Sequence, residues 1–442
     1  MGPAFFICAS HHVRGFRAAC GDPPCGDFVS FRAWLSRTLG RRALESILLP
    51  STVTKKIKND LSGSASPEWA ALLQCASPHA PLSALPELLR HVSWPALFTM
   101  AEGHGVISLL ASGVANFEEN LVPPEFAQKI RQLQRAQVLS GLQMTAELFR
   151  LVDQFRDGGL DTLVVKGPTL ALQAYGDTGA RQYGDLDFLV RQKDILRATE
   201  LMIAAGYKPE ISPEAISAKR IPGQYVFVRI AAPLLVELHT ERTMRYFPRG
   251  LPIEEFFARR QSVSVDGHQI PALAIEDEVL LICIHGAKHL WERLSLVADV
   301  AAFVDRQTGL HWERSFATAQ AVGAERMLDT GLLLAGNLLG AALPQNVQAR
   351  LQSDRPAWQL AATISSWLAS GGQTPPGLFA RALYRMRMRG SIVSGLGYLL
   401  RLTFSPTQED WSPGMEKKHD GRFASLRRPV RLAKKYRGGE KS

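Results

Sequence analysis

The chain has 442 residues, 46% of them hydrophobic and 21% charged, with a net charge of +10. That length allows two or three packed units, and the composition is that of a soluble globular protein, which excludes a disordered or fibrous chain. No apolar run reaches the roughly 18 residues of a membrane-spanning helix, no basic segment precedes the apolar N-terminal stretch, and Phe6 stands where a myristoylation signal needs Ser or Thr. The expected compartment is the cytoplasm.

Residues 1–60 read as a poorly ordered leader. The five cysteines, an odd number, make no disulfide framework. Cys8, Cys20 and Cys25 lie near His11 and His12 but form no paired C-x-x-C, so disorder is expected there before a zinc knuckle. Residues 61–158 form a helical region. Ser66-Pro67-Glu68 is a helix start, and helical periodicity continues through Leu82–His91, Trp94–Ala111 and Pro124–Phe155.

At Gly158-Gly159 the pattern changes. Strand-like Thr162–Val165, helical Thr169–Tyr175, strand-like Leu186–Val190 and helical Lys193–Ala205 follow in order. Gln224–Ile230 and Leu234–Thr240 then read as a hairpin, with a further turn at Asp266-Gly267. Residues 159–271 are therefore a small α/β unit, 272–415 a second helical region and 416–442 a basic tail. From Lys417 to Ser442 ten basic residues face only Asp420 and Glu440, so the tail can bind nucleic acid or an anionic surface, or simply be solvated.

Side chains two apart on a strand share a face. Asp185 and Asp187 therefore point one way while Leu186, Phe188 and Val190 face the core. Two such carboxylates repel unless a cation joins them, which makes a Mg²⁺ site the natural reading. On the hairpin, Glu237 and His239 share a face, and a sheet that sets the two strands side by side brings Glu237 to the same metal. Three carboxylates can hold two Mg²⁺ (or Mn²⁺) ions for in-line phosphoryl transfer, gripping a triphosphate and activating a hydroxyl. Gly167, at the strand-to-helix corner, lets backbone approach an anion, and Thr169 adds a hydroxyl. Lys166 and Arg181 are the nearest cations. Lys166 can also be an ordinary strand-end lysine, Arg181 a neutraliser of its acidic neighbours, and His239 a substrate contact or a polar residue of the core.

Together these residues resemble the bacterial uncharacterised nucleotidyltransferase family of the DNA polymerase β superfamily. The resemblance rests on Lys166-Gly167, Tyr175, Arg181, the run Gly184-Asp185-Leu186-Asp187 ending in Val190, Glu237 with His239, and His285, His289, Trp291, Arg293, Leu294 and Asp299. Phe404-Ser405-Pro406-Thr407 and Arg428-Pro429 with Arg431-Leu432 extend it. It implies an α+β fold, a small polymerase-β-like mixed-sheet nucleotidyltransferase domain flanked by N- and C-terminal helical regions. It also implies two-metal chemistry and use of an NTP such as ATP.

Pro168 stands where the superfamily commonly has Ser or Gly, and removes one backbone donor from the phosphate cradle. The expected function is Mg²⁺-dependent transfer of a nucleoside monophosphate to a hydroxyl acceptor. A small molecule, peptide or protein is expected before RNA, because the basic charge lies in the tail. Arg293 is expected near the phosphates and Trp291 in packing. His285 and His289, one helical turn apart, suit zinc, but Gly286 replaces the glutamate of a His-Glu-x-x-His protease. The alternatives are a catalytically silent nucleotide-binding or scaffold protein of this fold, and an Asp-x-Asp glycosyltransferase.

Overall fold

The computed structural model describes residues 66–404, apart from 116, 118–120, 218–222, 230–233, 242–249, 372–377 and 391. The leader with Cys8, Cys20, Cys25, His11 and His12, the basic tail and the late motifs beyond Phe404 lie outside the described residues. The described residues belong to one compact unit.

Four helices open it: α1 (Pro67–Ala76), α2 (Leu85–His91), α3 (Trp94–His104) and α4 (Ile107–Val114). The Ser66 hydroxyl accepts from the Trp69 amide at 3.2 Å, the cap expected from the sequence. The run expected to be helical over Trp94–Ala111 divides at Gly105, whose φ of 65° closes α3 by hydrogen bonds to Ala101 and Glu102. The long helix α5 (Pro124–Asp157) follows.

The α/β part then runs β1 (Leu163–Val165), α6 (Gly167–Tyr175), β2 (Asp185–Leu189), α7 (Ile195–Ala204), β3 (Lys208–Pro209), α8 (Pro213–Ser217), β4 (Gln224–Arg229), β5 (Leu234–His239), α9 (Ile253–Ala258), β6 (Gln261–Val265) and β7 (His268–Ala272). The strands form a mixed sheet of order β3-β4-β5-β2-β1-β7-β6. β1 and β2 are antiparallel, β2 and β5 parallel, and β4 and β5 antiparallel, as a hairpin requires. β6 and β7 turn at Asp266-Gly267, both at positive φ.

Helices α10 (Ile275–Lys288), α11 (Leu294–Arg306), α12 (Trp312–Val322), α13 (Glu325–Leu339), α14 (Gln345–Ser353), α15 (Arg355–Ala369), α16 (Leu378–Arg387) and α17 (Ile392–Phe404) complete the unit. No helix among the described residues is long and apolar enough to cross a membrane.

The two faces of the sheet enter two separate cores. Leu186, Phe188, Val190, Val236 and Leu238 pack with Leu148, Leu151 and Phe155 of α5 and Ala198 and Met202 of α7. Leu163, Val165 and Leu189 join a larger core shared by both helical regions, from Trp69 and Leu97 to Leu280, Leu294 and Leu332. This second core is why the catalytic-looking face of the sheet is roofed by α10. That helix ends tightly: Trp291, buried and at a φ of 52°, returns its amide to the Gly286 carbonyl. A Cβ on Gly286 would lie 2.4 Å from the Trp291 ring, so Gly286 serves close packing and Trp291 is a packing residue, as its pattern suggested.

Candidate active site

The site begins with strand periodicity. β2 buries Leu186 and Phe188 on one side and turns Asp185 and Asp187 to the other. Parallel pairing with β5 sets Asp187 opposite Glu237 and Leu189 opposite His239. Antiparallel pairing with β1 sets Asp187 opposite Val165, one residue before Lys166.

Asp187 is 1% exposed, and both of its oxygens meet cationic or donor groups. Oδ1 lies 2.7 Å from His239 Nε2 and Oδ2 lies 2.8 Å from Lys166 Nζ. His239 Nε2 is also 3.2 Å from Glu237 Oε2, which accepts from Gln224 Nε2 at 2.7 Å. Gln224 in turn faces Lys288 Nζ at 3.4 Å from its Oε1.

Burial opposes the charge on each group, and the neighbours decide the outcome. Burial alone would raise the Asp187 carboxyl, but the Lys166 charge and the His239 hydrogen bond hold it well below the usual carboxylate range. Burial would lower Lys166 and His239, yet the carboxylates beside them raise both. Glu237 is lowered against burial by His239. Asp185 is raised, by burial and then by Asp187, and its carboxylate has no hydrogen-bond or ion-pair partner among the described residues.

Asp185, Asp187 and Glu237 thus share one face of adjacent strands, but the tightest trio is different. Ligand atoms of Asp187, Glu237 and His239 lie within 4.8 Å of one another, the one such group of three among the described residues. The reason is register: Asp185 pairs with Leu235, a full pleat away from Glu237. The repulsion that sequence reading answered with a metal is answered here partly by the protein itself, through Lys166 and His239. The His285 and His289 rings lie against each other with centroids 4.6 Å apart and planes tilted by 52°. Burial and then nearby cations push His289 down to about 4 and His285 well below its usual value.

The strand-to-helix corner is strained. Lys166 has φ 62° and ψ −142°, a conformation that costs a non-glycine residue on the order of 1–3 kcal/mol. Three hydrogen bonds hold it: its amide donates to Glu278 Oε1 at 3.3 Å, and its carbonyl accepts from the Thr169 hydroxyl at 2.7 Å and from the Leu170 amide at 3.3 Å. Thr169, expected as a phosphate donor, has its hydroxyl on the Lys166 carbonyl. Thr169 is 1% exposed and its hydroxyl fixes the turn, because the first turn of α6 packs inward. Gly167 is buried too, and the Lys166 amide at that corner is already claimed by a carboxyl. Arg293 is exposed at the start of α11, its guanidinium without a hydrogen-bond partner among the described residues, and its charge acts on His289.

Tyr175, Arg181 and Asp299 belong separately to the family pattern and are joined only by the fold. In the structure Arg181 Nε meets Asp299 Oδ2 at 2.8 Å and the Tyr175 hydroxyl donates to Asp299 Oδ1 at 3.0 Å. Arg181 therefore anchors the segment leading into β2 to helix α11. Its position beside Asp185, which its charge lowers, was legible; its main partner was not.

Glu278 is 1% exposed, and burial raises it from the ordinary 4.5 to about 7, against the pull of the Lys166 amide and charge. A raised acid keeps its proton longer in the folded state, so stability falls as pH rises from 4.5 towards 7. Glu278→Gln, always neutral and still able to accept from Lys166, is expected to remove that slope, worth on the order of 3 kcal/mol. Urea unfolding of both proteins at pH 5 and pH 8 checks this, and identical slopes would refute it.

No curated protein matches the chain. One similar solved structure is an antigenic nucleotidyltransferase-like protein from Paracoccidioides brasiliensis, at 11% identity, 52% of this chain, 92% of that chain and a TM-score of 0.23. That likeness is too loose to carry an argument. The model of the family described as "uncharacterised nucleotidyltransferase" matches residues 90–340, more than half of the chain and the whole of the site described above. The chain belongs to this family of uncharacterised nucleotidyltransferases.

Proposed function

We propose that the chain transfers a nucleoside monophosphate from an NTP to a hydroxyl acceptor and releases pyrophosphate. The observation that carries this reading is the register that sets Asp187 against Glu237 on one sheet face, beside the Lys166 corner and with Asp185 open. We take Asp185, Asp187 and Glu237 as the metal ligands; of these, Asp187 and Glu237 have ligand atoms within 4.8 Å of each other and of His239, an oxygen-rich set that suits Mg²⁺ or Mn²⁺. A bound ion supplies charge neutralisation of the triphosphate and lowers the acceptor hydroxyl's pKa.

The protein's own groups do the rest. Glu237, partly open to solvent, accepts the hydroxyl proton. The hydroxyl oxygen then bonds to the α-phosphorus as the bond to the β-phosphate oxygen breaks, and pyrophosphate leaves with that electron pair. Lys166 faces the charge developing there, Arg181 holds the segment that carries Asp185, and exposed Arg293 meets the outer phosphates. The acceptor is a small molecule, peptide or protein in preference to RNA, since the body of the chain is close to neutral.

The test is incubation of the full chain with each α-³²P-labelled NTP, Mg²⁺ or Mn²⁺ and a cell lysate. Label should pass to an acceptor with the parent and not with Asp185→Ala. A second reading, a silent scaffold of the same fold, is favoured by the doubly paired Asp187 and the closed corner at Gly167. It prevails if no NTP gives transfer and the variant behaves as the parent.

A further inference from the structure

The last helix among the described residues turns an apolar stripe outward. On α17, Val393, Leu396, Leu400 and Phe404 are 80, 46, 59 and 40% exposed. Their spacing of three, four and four residues puts them on one side of the helix. The opposite side is taken up by packing. A Cβ on Gly395 would lie 3.0 Å from the Met386 carbonyl of α16, and buried Tyr398 carries the Arg389 guanidinium 4.6 Å above its ring. The stripe is therefore held facing away from the body.

Its charged setting has one sign. From Arg355 to Gln408, a stretch that holds α15, α16 and α17, the chain has six arginines and no acidic residue. From Leu378 onward fifteen basic residues face five acidic ones, so the whole net charge of +10 lies there. We propose that the α17 stripe docks the protein on the surface of an anionic phospholipid bilayer. RNA would satisfy the arginines but gives four apolar side chains nothing to enter. A second copy would bring like charge against like charge. An anionic bilayer meets both features: its headgroups repel carboxylates and attract arginine, and its acyl boundary takes in the stripe. Neither feature anchors a protein lastingly by itself, and together they do. The stripe contributes no residue to the acidic cluster, so the proposal stands or falls apart from nucleotidyl transfer.

The test is co-sedimentation of the full chain with vesicles of phosphatidylcholine alone or of equal parts phosphatidylcholine and phosphatidylglycerol. Binding to the anionic vesicles is expected to be at least about tenfold tighter and to weaken as salt is raised. Val393→Ser/Leu396→Ser/Leu400→Ser should bind them at least about tenfold more weakly. Its urea unfolding should match the parent's, since all three side chains are exposed. No binding by the parent, equal binding to both vesicles, or parent-like binding by the serine variant overturns the proposal. A dimer in sedimentation velocity, or retention of single-stranded RNA, that the serines abolish also overturns it, because the stripe then serves a second copy or a nucleic acid. Should the serine variant fail to fold, an environment-sensitive fluorophore on Leu400→Cys decides. Its emission should shift to the blue on anionic vesicles beyond that of parent protein labelled alike, and no such shift overturns the proposal.

Discussion

Asp187→Asn is expected to lower nucleotidyl transfer by a factor on the order of a thousand and to destabilise the fold by about 3–5 kcal/mol. Asparagine keeps the shape and one carbonyl oxygen, but it removes the charge that Lys166 and His239 both face. Lys166, only 14% exposed, is then left without its ion-pair partner at a strained corner. Few single substitutions near the site should cost more, because most of the charge pairs elsewhere are partly solvated and worth little. Transfer from labelled NTP and urea unfolding measure the two effects separately, and parent-like unfolding would refute the central role given to this carboxylate.

The same pairs add their own limbs to the parent's pH profile, on top of the Glu278 slope. Asp187 is depressed, so its contribution is complete above the ordinary 3.8 and is lost as pH falls through its lowered value. His239 is raised, so its contribution is complete below the ordinary 6.5 and is lost as pH rises through its raised value. The cluster therefore stabilises most fully between about pH 4 and 6.5. In Asp187→Asn the acid limb disappears and the alkaline limb shrinks, leaving a flatter curve.

Asp299→Ala is the second large effect, about 3–5 kcal/mol of stability. Arg181, only 13% exposed, loses its partner, and the Tyr175 hydroxyl loses its acceptor. Asp299 lies on α11, outside the acidic cluster. Transfer should fall because the segment that carries Asp185 loosens, whereas Mn²⁺ affinity should change far less than in Asp187→Asn. Asp299→Asn, which keeps one acceptor oxygen for one of the two donors, should recover part of the stability. Equal loss of Mn²⁺ binding in Asp299→Ala and Asp187→Asn would show that Asp299 acts on the ligands directly and not on the segment.

Local patterns foretold much of this chain. Alternation along Leu186–Val190 and Leu235–His239 names which side chains leave the core, since the face of a strand residue is set by its own backbone. The Ser66 helix start, the long helix from Pro124 and the turn at Asp266-Gly267 were legible for the same reason: a cap or turn depends on residues a few positions apart.

Which outward-facing residues meet was not local. The parallel register of β2 on β5 put His239, not Asp185, into the tightest trio with Asp187 and Glu237. The inward packing of α6 turned the Thr169 hydroxyl to its own backbone, and the descent of α10 brought Glu278 onto the Lys166 amide. Asp299 reaches Arg181 across 118 residues of chain. Each of these contacts depends on how distant segments bury their apolar faces against one another. The residue types and faces therefore belong to the sequence, and the partnership of Asp187 with Lys166 belongs to the packing.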